Sequence, residues 1–232
     1  HEMEDLKDLA RAGAELGVER YVLDDGWFHG RHHDRAALGD WWPDETKFPQ
    51  GLSDLVAHVN AQGMEFGLWF EPEMINPDID LYRAHPDWAL QLAGRPLITA
   101  RNQLVLDISR PEVSDYLFER ISAVLSAQPI RYIKWDHNRE LFPRAGRGHA
   151  QVLALYALLD RLRNAHPAAG TGHERLTHAL PFVAHHPGAG PGQGGAVQIV
   201  ARVRAGHHQG HLERLDILQP HSLDQVQRKM RA

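Results

Sequence analysis

Apolar residues recur at spacings of three and four over residues 2–16, where Met3, Leu6, Ala10 and Gly13 mark one helical face and Gly17 supplies a C-terminal stop. Residues 21–25, YVLDD, then form a short apolar run with strand character that ends in two acids and Gly26. The alternation repeats. Leu52, Leu55, Val56 and Val59 predict a second helix, with Gly51 and Ser53 as candidate caps and Gly63 as its stop, before the strand EFGLWF at 65–70. A long excursion over 71–103, rich in Pro, Asp and Arg, leads to a short strand at 104–108 that carries Asp107. Ser109 and Glu112 match a capping box with Pro111 in the first turn, and Val113, Leu117, Ile121, Val124 and Leu125 form the stripe of a helix reaching about residue 127. After the break at Pro129 comes the strand opening YIKWDHNR (132–139), and Val152, Leu155, Tyr156, Leu159 and Leu162 describe one more helix.

Apolar strands alternating with amphipathic helices predict a parallel α/β architecture. Its polar residues collect at strand ends: Asp24 and Asp25, then Trp69 and Glu71, then Asp107, then Asp136. In a (β/α)8 barrel those ends form the face that carries chemistry. A doubly wound sheet also gathers ligands there, but the first turn, DDGWFHG, lacks the GxGxxG phosphate cradle. The pattern therefore predicts a partial TIM-type barrel, with about four of the eight strands.

Within YIKWDHNR, the period of two places Lys134, Asp136 and Asn138 on one face. A lysine beside an aspartate holds the carboxylate ionised, as a nucleophile requires, although a structural ion pair at a barrel rim gives the same pattern. Carboxylates interleaved with Trp27, Trp41, Trp42, Trp69 and Trp135 suit a carbohydrate, since acids accept from hydroxyls and indole faces cover a pyranose; the same tryptophans serve equally as packing. The adjacent acids Asp24 and Asp25 repel each other and need donors, or else a Mg²⁺ ion, for which nothing nearby completes a ligand set.

Composition narrows the classes further. A net charge of -5 provides no basic stripe for nucleic acid, no apolar run approaches a membrane span, and the absence of cysteine excludes disulfides and thiolate metal sites. The chain starts at His1, so the natural start is expected to lie upstream; the expected compartment is the cytoplasm, with a leader peptide left open. Near Pro167 the sequence changes character. Residues 167–232 contain Phe182 as their one aromatic, yet hold 8 of the 17 histidines and 9 of the 20 glycines. So little apolar surface to offset chain entropy predicts a largely disordered tail without a packed core, separate from a catalytic unit at 1–166. His185, His186, His207 and His208 lack the fixed spacing of a metal site.

Six ordered segments carry a resemblance: LDDGWF (23–28), LGDW (38–41), LWFEPEM (68–74), HPDW (85–88), RNQLVLD (101–107) and YIKWDHNR (132–139). Together they resemble the α-galactosidases of glycoside hydrolase family 36, over residues 1 to about 166. The resemblance implies a retaining hydrolase of α-1,6-galactosides of the melibiose and raffinose type, with no cofactor and with homo-oligomers in the family. It implies Asp136 as nucleophile, Asp24 and Asp25 as holders of galactose hydroxyls, and Trp69, Arg101, Lys134 and Asn138 as further sugar contacts. The partner acid/base does not follow. Glu174, Glu213, Asp216 and Asp224 stand in no matching context, so the role is assigned to none, and the chain is expected to be incomplete and nearly inactive on unactivated galactosides. A shifted reading frame in a GC-rich gene would produce such a tail, which the downstream genomic sequence tests. Two other functions fit the same residues: a galactosyltransferase of raffinose-oligosaccharide type, distinguished by its products when sucrose is present, and a non-catalytic galactose-binding module, distinguished by binding without turnover.

Overall fold

Gly17 shows how closely the local sequence dictates the first turn of the fold. Helix α1 (Met3–Glu15) ends where Gly17 adopts φ 77°, a conformation that costs glycine little. The amide of Gly17 donates to Ala14 O at 2.9 Å and that of Val18 to Gly13 O at 3.0 Å, which closes the helix end and turns the chain into β1 (Arg20–Leu23). The computed structural model describes residues 3–138, 147–171, 180–184 and 197–201.

The remaining elements, in chain order, are α2 (Ser53–Ala61), β2 (Glu65–Phe70), β3 (Met74–Ile75), α3 (Asp80–Ala84), β4 (Leu104–Val105), α4 (Pro111–Ala127), β5 (Tyr132–Trp135), α5 (Gly148–Ala165), β6 (Gly170–Thr171), β7 (Leu180–Ala184) and β8 (Val197–Ala201). Strands β1, β2, β5 and β6 lie side by side in chain order and all run parallel; the alternating pattern predicts the first three, whereas β6 falls in the tail where no strand was expected. On the other edge of β1, β8 pairs antiparallel, followed by β7. Most of the tail read as lacking a packed core lies outside the described residues, as do its four acids and the paired histidines.

Several local expectations are corrected. The strand at 104–108 is only Leu104–Val105, and it pairs antiparallel with β3 in a separate two-stranded sheet. Both edges of β2 are already taken, by β1 and β5, so this segment has no place beside it and Asp107 ends no strand of the parallel sheet. Asp107 instead pairs with Arg147. The predicted capping box does not form: Arg110 is the N-cap of α4 without a side-chain cap, while Ser109 Oγ bonds Asp107 and Arg110 Nε binds Glu112 Oε1 at 2.8 Å. Ser53 likewise does not cap α2, since its hydroxyl donates to Gln50 O at 2.9 Å.

The stripe of α4 is buried as predicted. That of α5 is rotated: Gln151, Leu158, Leu159 and Leu162 are buried, whereas Val152 and Tyr156 are exposed. Gln151 explains the rotation. Its Nε2 donates to Leu106 O at 2.7 Å and its Oε1 accepts from Ser109 N at 2.9 Å, so a buried amide satisfies the backbone that follows β4.

The core is aromatic beneath the strand ends. Trp27 meets Phe70 edge-on at 5.2 Å and Phe28 packs on Trp41 at 4.6 Å, with both tryptophans essentially without solvent contact. Trp27 and Trp41 are thus packing residues. Gly39, within LGDW, is the tightest point beside them: at φ 120°, a Cβ there would meet Ile79 Cδ1 at 2.8 Å and Leu81 Cδ2 at 3.2 Å. Gly39→Ala is expected to lower stability by about 1 to 3 kcal/mol, through backbone strain and overpacking. A urea midpoint equal to that of the parent chain would refute this.

Candidate active site

The parallel register builds the site. Leu23 pairs with Leu68, and Trp69 pairs with Lys134, so Asp24, one residue past Leu23, lies level with Trp69 and Lys134 across β1, β2 and β5. Lys134 Nζ donates to Asp24 Oδ2 at 2.8 Å. Its direct bond thus goes to Asp24 instead of the expected Asp136, while its charge still lowers the Asp136 carboxyl as the sequence suggests. The period of two holds through Asn138, with Trp135 and His137 on Glu73 and Asp136 and Asn138 toward Trp69; it is the register across β1, β2 and β5 that gives Lys134 Nζ to Asp24.

Asp136 takes its donors elsewhere. Trp69 Nε1 donates to Oδ2 at 2.9 Å, Asn138 Nδ2 to the same oxygen at 2.7 Å, and the amide of His137 to Oδ1 at 2.9 Å. Its own amide donates to Phe70 O at 2.8 Å, which extends the pairing of β5 with β2 by one bond and fixes the backbone from which the carboxylate projects. Burial pushes the Asp136 carboxyl up, but the donors of Trp69, Asn138 and His137, with the nearby charge of Lys134, outweigh it and hold the group below the usual aspartate value. Asp136 is accordingly an ionised carboxylate at neutral pH.

Asp24 differs. Burial raises its carboxyl against the opposing charge of Lys134. Its Oδ1 accepts the amide of Asp25 at 2.8 Å. Asp25 in turn is gripped by Arg31, with Nε to Oδ1 and Nη2 to Oδ2 both at 2.8 Å. Arg31 is only 5% exposed, and its Nη1 also donates to Ala36 O at 2.6 Å. Lys47 ties the same loop through Gly26 O and Arg31 O. The adjacent acids therefore have the donors that they need, Lys134 for Asp24 and Arg31 for Asp25. Among the described residues, no group of three or more His, Asp or Glu side chains is arranged to hold a metal.

Two further acids line the same end of the sheet. Glu71 Oε1 accepts the amide of Asn138 at 2.9 Å and Oε2 accepts Gln103 Nε2 at 3.1 Å; burial raises its carboxyl. Glu73 Oε1 accepts Trp135 Nε1 at 3.2 Å and pairs with His137 Nδ1 at 3.3 Å.

The structure thus brings Asp136, Trp69 and Asn138 into one hydrogen-bonded group and sets Asp24 and Lys134 beside it. Arg101 lies in the turn just before β4. It occupies the first of two left-handed positions, φ 53° before Asn102 at φ 58°, in a tight turn closed by Ala100 and Gln103. The carbonyl of Asn102 accepts Asn76 Nδ2 at 2.7 Å, and among the described residues no hydrogen bond joins Arg101 to the three aspartates. Arg139 lies outside the described residues. Sequence reasoning missed Arg31, Asn76, Gln103 and the pairing of Glu73 with His137. Only Arg31 left a signal, as the first basic residue after an acidic pair in want of donors.

Residues 1–174 match the family model described as Melibiase. The chain belongs to the melibiase family. Among individual melibiases, it is 49% identical over 171 residues to the α-galactosidase of Escherichia coli, covering 72% of this chain and 24% of that protein. Structures of variants of the glycoside hydrolase family 36 α-galactosidase AgaA from Geobacillus stearothermophilus, in complex with raffinose and with stachyose, superpose with TM-scores of 0.68 and 0.67. They are 46% and 45% identical to this chain; each comparison covers 74% of it and 25% of the AgaA chain. The chain spans about a quarter of the length of the curated relatives that it matches.

Proposed function

We propose that residues 1–166 are the nucleophile-bearing part of a (β/α)8 barrel that hydrolyses terminal α-galactosides with retention of configuration. Three adjacent parallel strands, β1, β2 and β5, each followed by acids, support the barrel, with β6 parallel to β5 just beyond residue 166. The observation that carries the chemistry is Asp136, kept ionised by three donors beside the Asp24–Lys134 pair.

In this reading, Asp24 and Asp25 accept galactose hydroxyls, and Lys134 and Asn138 donate to them. The raffinose and stachyose carried by AgaA point to oligosaccharides with a terminal α-galactosyl group as substrates. One Asp136 oxygen bonds to the anomeric carbon as the glycosidic C–O bond breaks, the leaving oxygen taking a proton from a second carboxyl group. Water then adds at the same carbon, giving up its proton to that group and releasing Asp136. The second group belongs about 5 to 5.5 Å from the first in a retaining site. We assign it to no residue of this chain, so raffinose turnover is expected to fall short of an ordinary glycosidase by about 10² to 10⁴, the usual worth of general acid assistance.

α-Galactosyl fluoride tests the reading without needing that acid, because fluoride leaves unaided. The 232-residue chain is expected to form a persistent galactosyl ester on the peptide containing Asp136, seen by intact and peptide mass spectrometry. Galactose binding with no adduct, or an adduct on another residue, overturns it.

A further inference from the structure

The two side chains that flank Asp136 are anchored at one atom. Trp135 Nε1 donates to Glu73 Oε1 at 3.2 Å and His137 Nδ1 meets the same oxygen at 3.3 Å. Residues 135 and 137 thus face one way, and Asp136, with Asn138, faces the other, toward Trp69. Glu73 is itself fixed. It is 5% exposed, it precedes β3, and its carbonyl accepts the amide of Leu106 at 2.9 Å just past β4. The small antiparallel sheet therefore supplies a rigid post, and the post grips both neighbours of the proposed nucleophile.

We propose that Glu73 is a positioning residue for Asp136, aiming its carboxylate at Trp69 and Asn138 by holding Trp135 and His137, and that His137 makes this hold depend on pH. The proposal rests on reading Asp136 as the nucleophile. A carboxylate accepts from Nδ1 only while that nitrogen carries a proton, and the contact is strongest when the ring is cationic. The hydrogen bond that His137 donates to Glu73 raises the His137 value above that of ordinary histidine, helped by the charges of Glu73, Glu71 and Asp136, which face the ring from the segment after β2 and from its own loop. Because the folded value is raised, the contribution is fully present below about pH 6.5 and is lost as pH rises through the folded value. The Asp136 carboxylate should then be least well aimed on the alkaline side.

The test follows the indole N–H resonances of Trp69 and Trp135 in the ¹⁵N-labelled chain between about pH 5 and 9, the range that spans histidine titration. Trp69 reports on Asp136 and Trp135 on Glu73; Trp69→Phe and Trp135→Phe chains assign the two signals. Both are expected to shift with the midpoint of the His137 ring. His137→Gln keeps a donor for Glu73 and removes the titration, so both signals should stay near their acidic positions throughout. Glu73→Gln keeps an acceptor but removes the charge, so the His137 midpoint should fall. Dispersed indole signals show that each variant is folded. A Trp69 resonance that stays fixed while His137 titrates, or an alkaline shift that survives His137→Gln, overturns the proposal. Neither readout involves turnover, so failed labelling by galactosyl fluoride alongside an intact Trp69 titration would reject the nucleophile and leave the post standing.

Discussion

Replacing Asp136 with asparagine is expected to slow galactosyl ester formation from α-galactosyl fluoride by about 10⁴ to 10⁶, the range seen when a nucleophile or its equivalent is removed. The loss has two parts. The amide nitrogen that replaces one oxygen is no nucleophile, and the remaining oxygen carries no charge to attack with. The surroundings also resist the amide, because all three partners of Asp136 are donors: Trp69 Nε1, Asn138 Nδ2 and the His137 amide. An asparagine NH₂ group must face at least one of them, and turning it toward the His137 amide sacrifices a single hydrogen bond where the other orientation sacrifices two. That mismatch adds about 1 to 3 kcal/mol of local cost. Mass spectrometry over a time course gives the ratio directly, and an Asp136→Asn chain that labelled within tenfold of the parent rate would remove Asp136 from the mechanism.

The largest expected effect on stability lies one loop away. Arg31→Ala should destabilise the fold by about 2 to 4 kcal/mol, since it strips the buried Ala36 carbonyl of its donor and leaves the partly exposed Asp25 without its counter-charge. The guanidinium makes two bonds to Asp25 and one to Ala36 O, and it reaches Asn76 Oδ1 at 3.4 Å. Asn76 in turn accepts the amide of Leu38 at 2.9 Å, so the same side chain binds the loop after β1 to the LGDW segment and to the residue that follows β3. Against a typical total of about 5 to 15 kcal/mol, the loss is large enough to read from a urea midpoint. Arg31→Lys should recover only part of it, because an ammonium cannot reproduce the two parallel bonds to Asp25. Equal midpoints for parent and Arg31→Ala would show that the pair contributes nothing.

Periodicity made the frame legible and was weakest where elements are short. Helices α1 and α4 and strands β1, β2 and β5 follow from stripes and apolar runs long enough to carry a period. Strand β3 contains two residues, too few to show alternation, so the antiparallel partner of the strand read at 104–108, and Glu73 just before it, were hidden in an apparently irregular stretch. Helix α5 shows the converse. A buried glutamine serving backbone groups displaced the apolar face that leucine and valine spacing suggested. At the site, acids at strand ends were readable as chemistry, but their partners were not. Alternation along one strand tied Lys134 to Asp136, whereas register between strands gave it to Asp24. No single-strand pattern contains that information. The tryptophans divide in the same way: Trp27 and Trp41 are packing, while Trp69 is buried yet presents its indole N–H to Asp136.

The sequence separations of these contacts bear on how the site comes into being. The Lys134–Asp24 bond spans 110 residues and the Trp69–Asp136 bond spans 67. Contacts that close such long loops recover little until most of the chain entropy has already been lost, so they form late and fold slowly. Helices α1 and α4 can acquire their turns independently, but the carboxylate group cannot exist before β1, β2 and β5 have found one another. The electrostatic environment of Asp136 is therefore a readout of completed folding, and a kinetic intermediate with native helix content would still hold an ordinary, unselected aspartate at position 136.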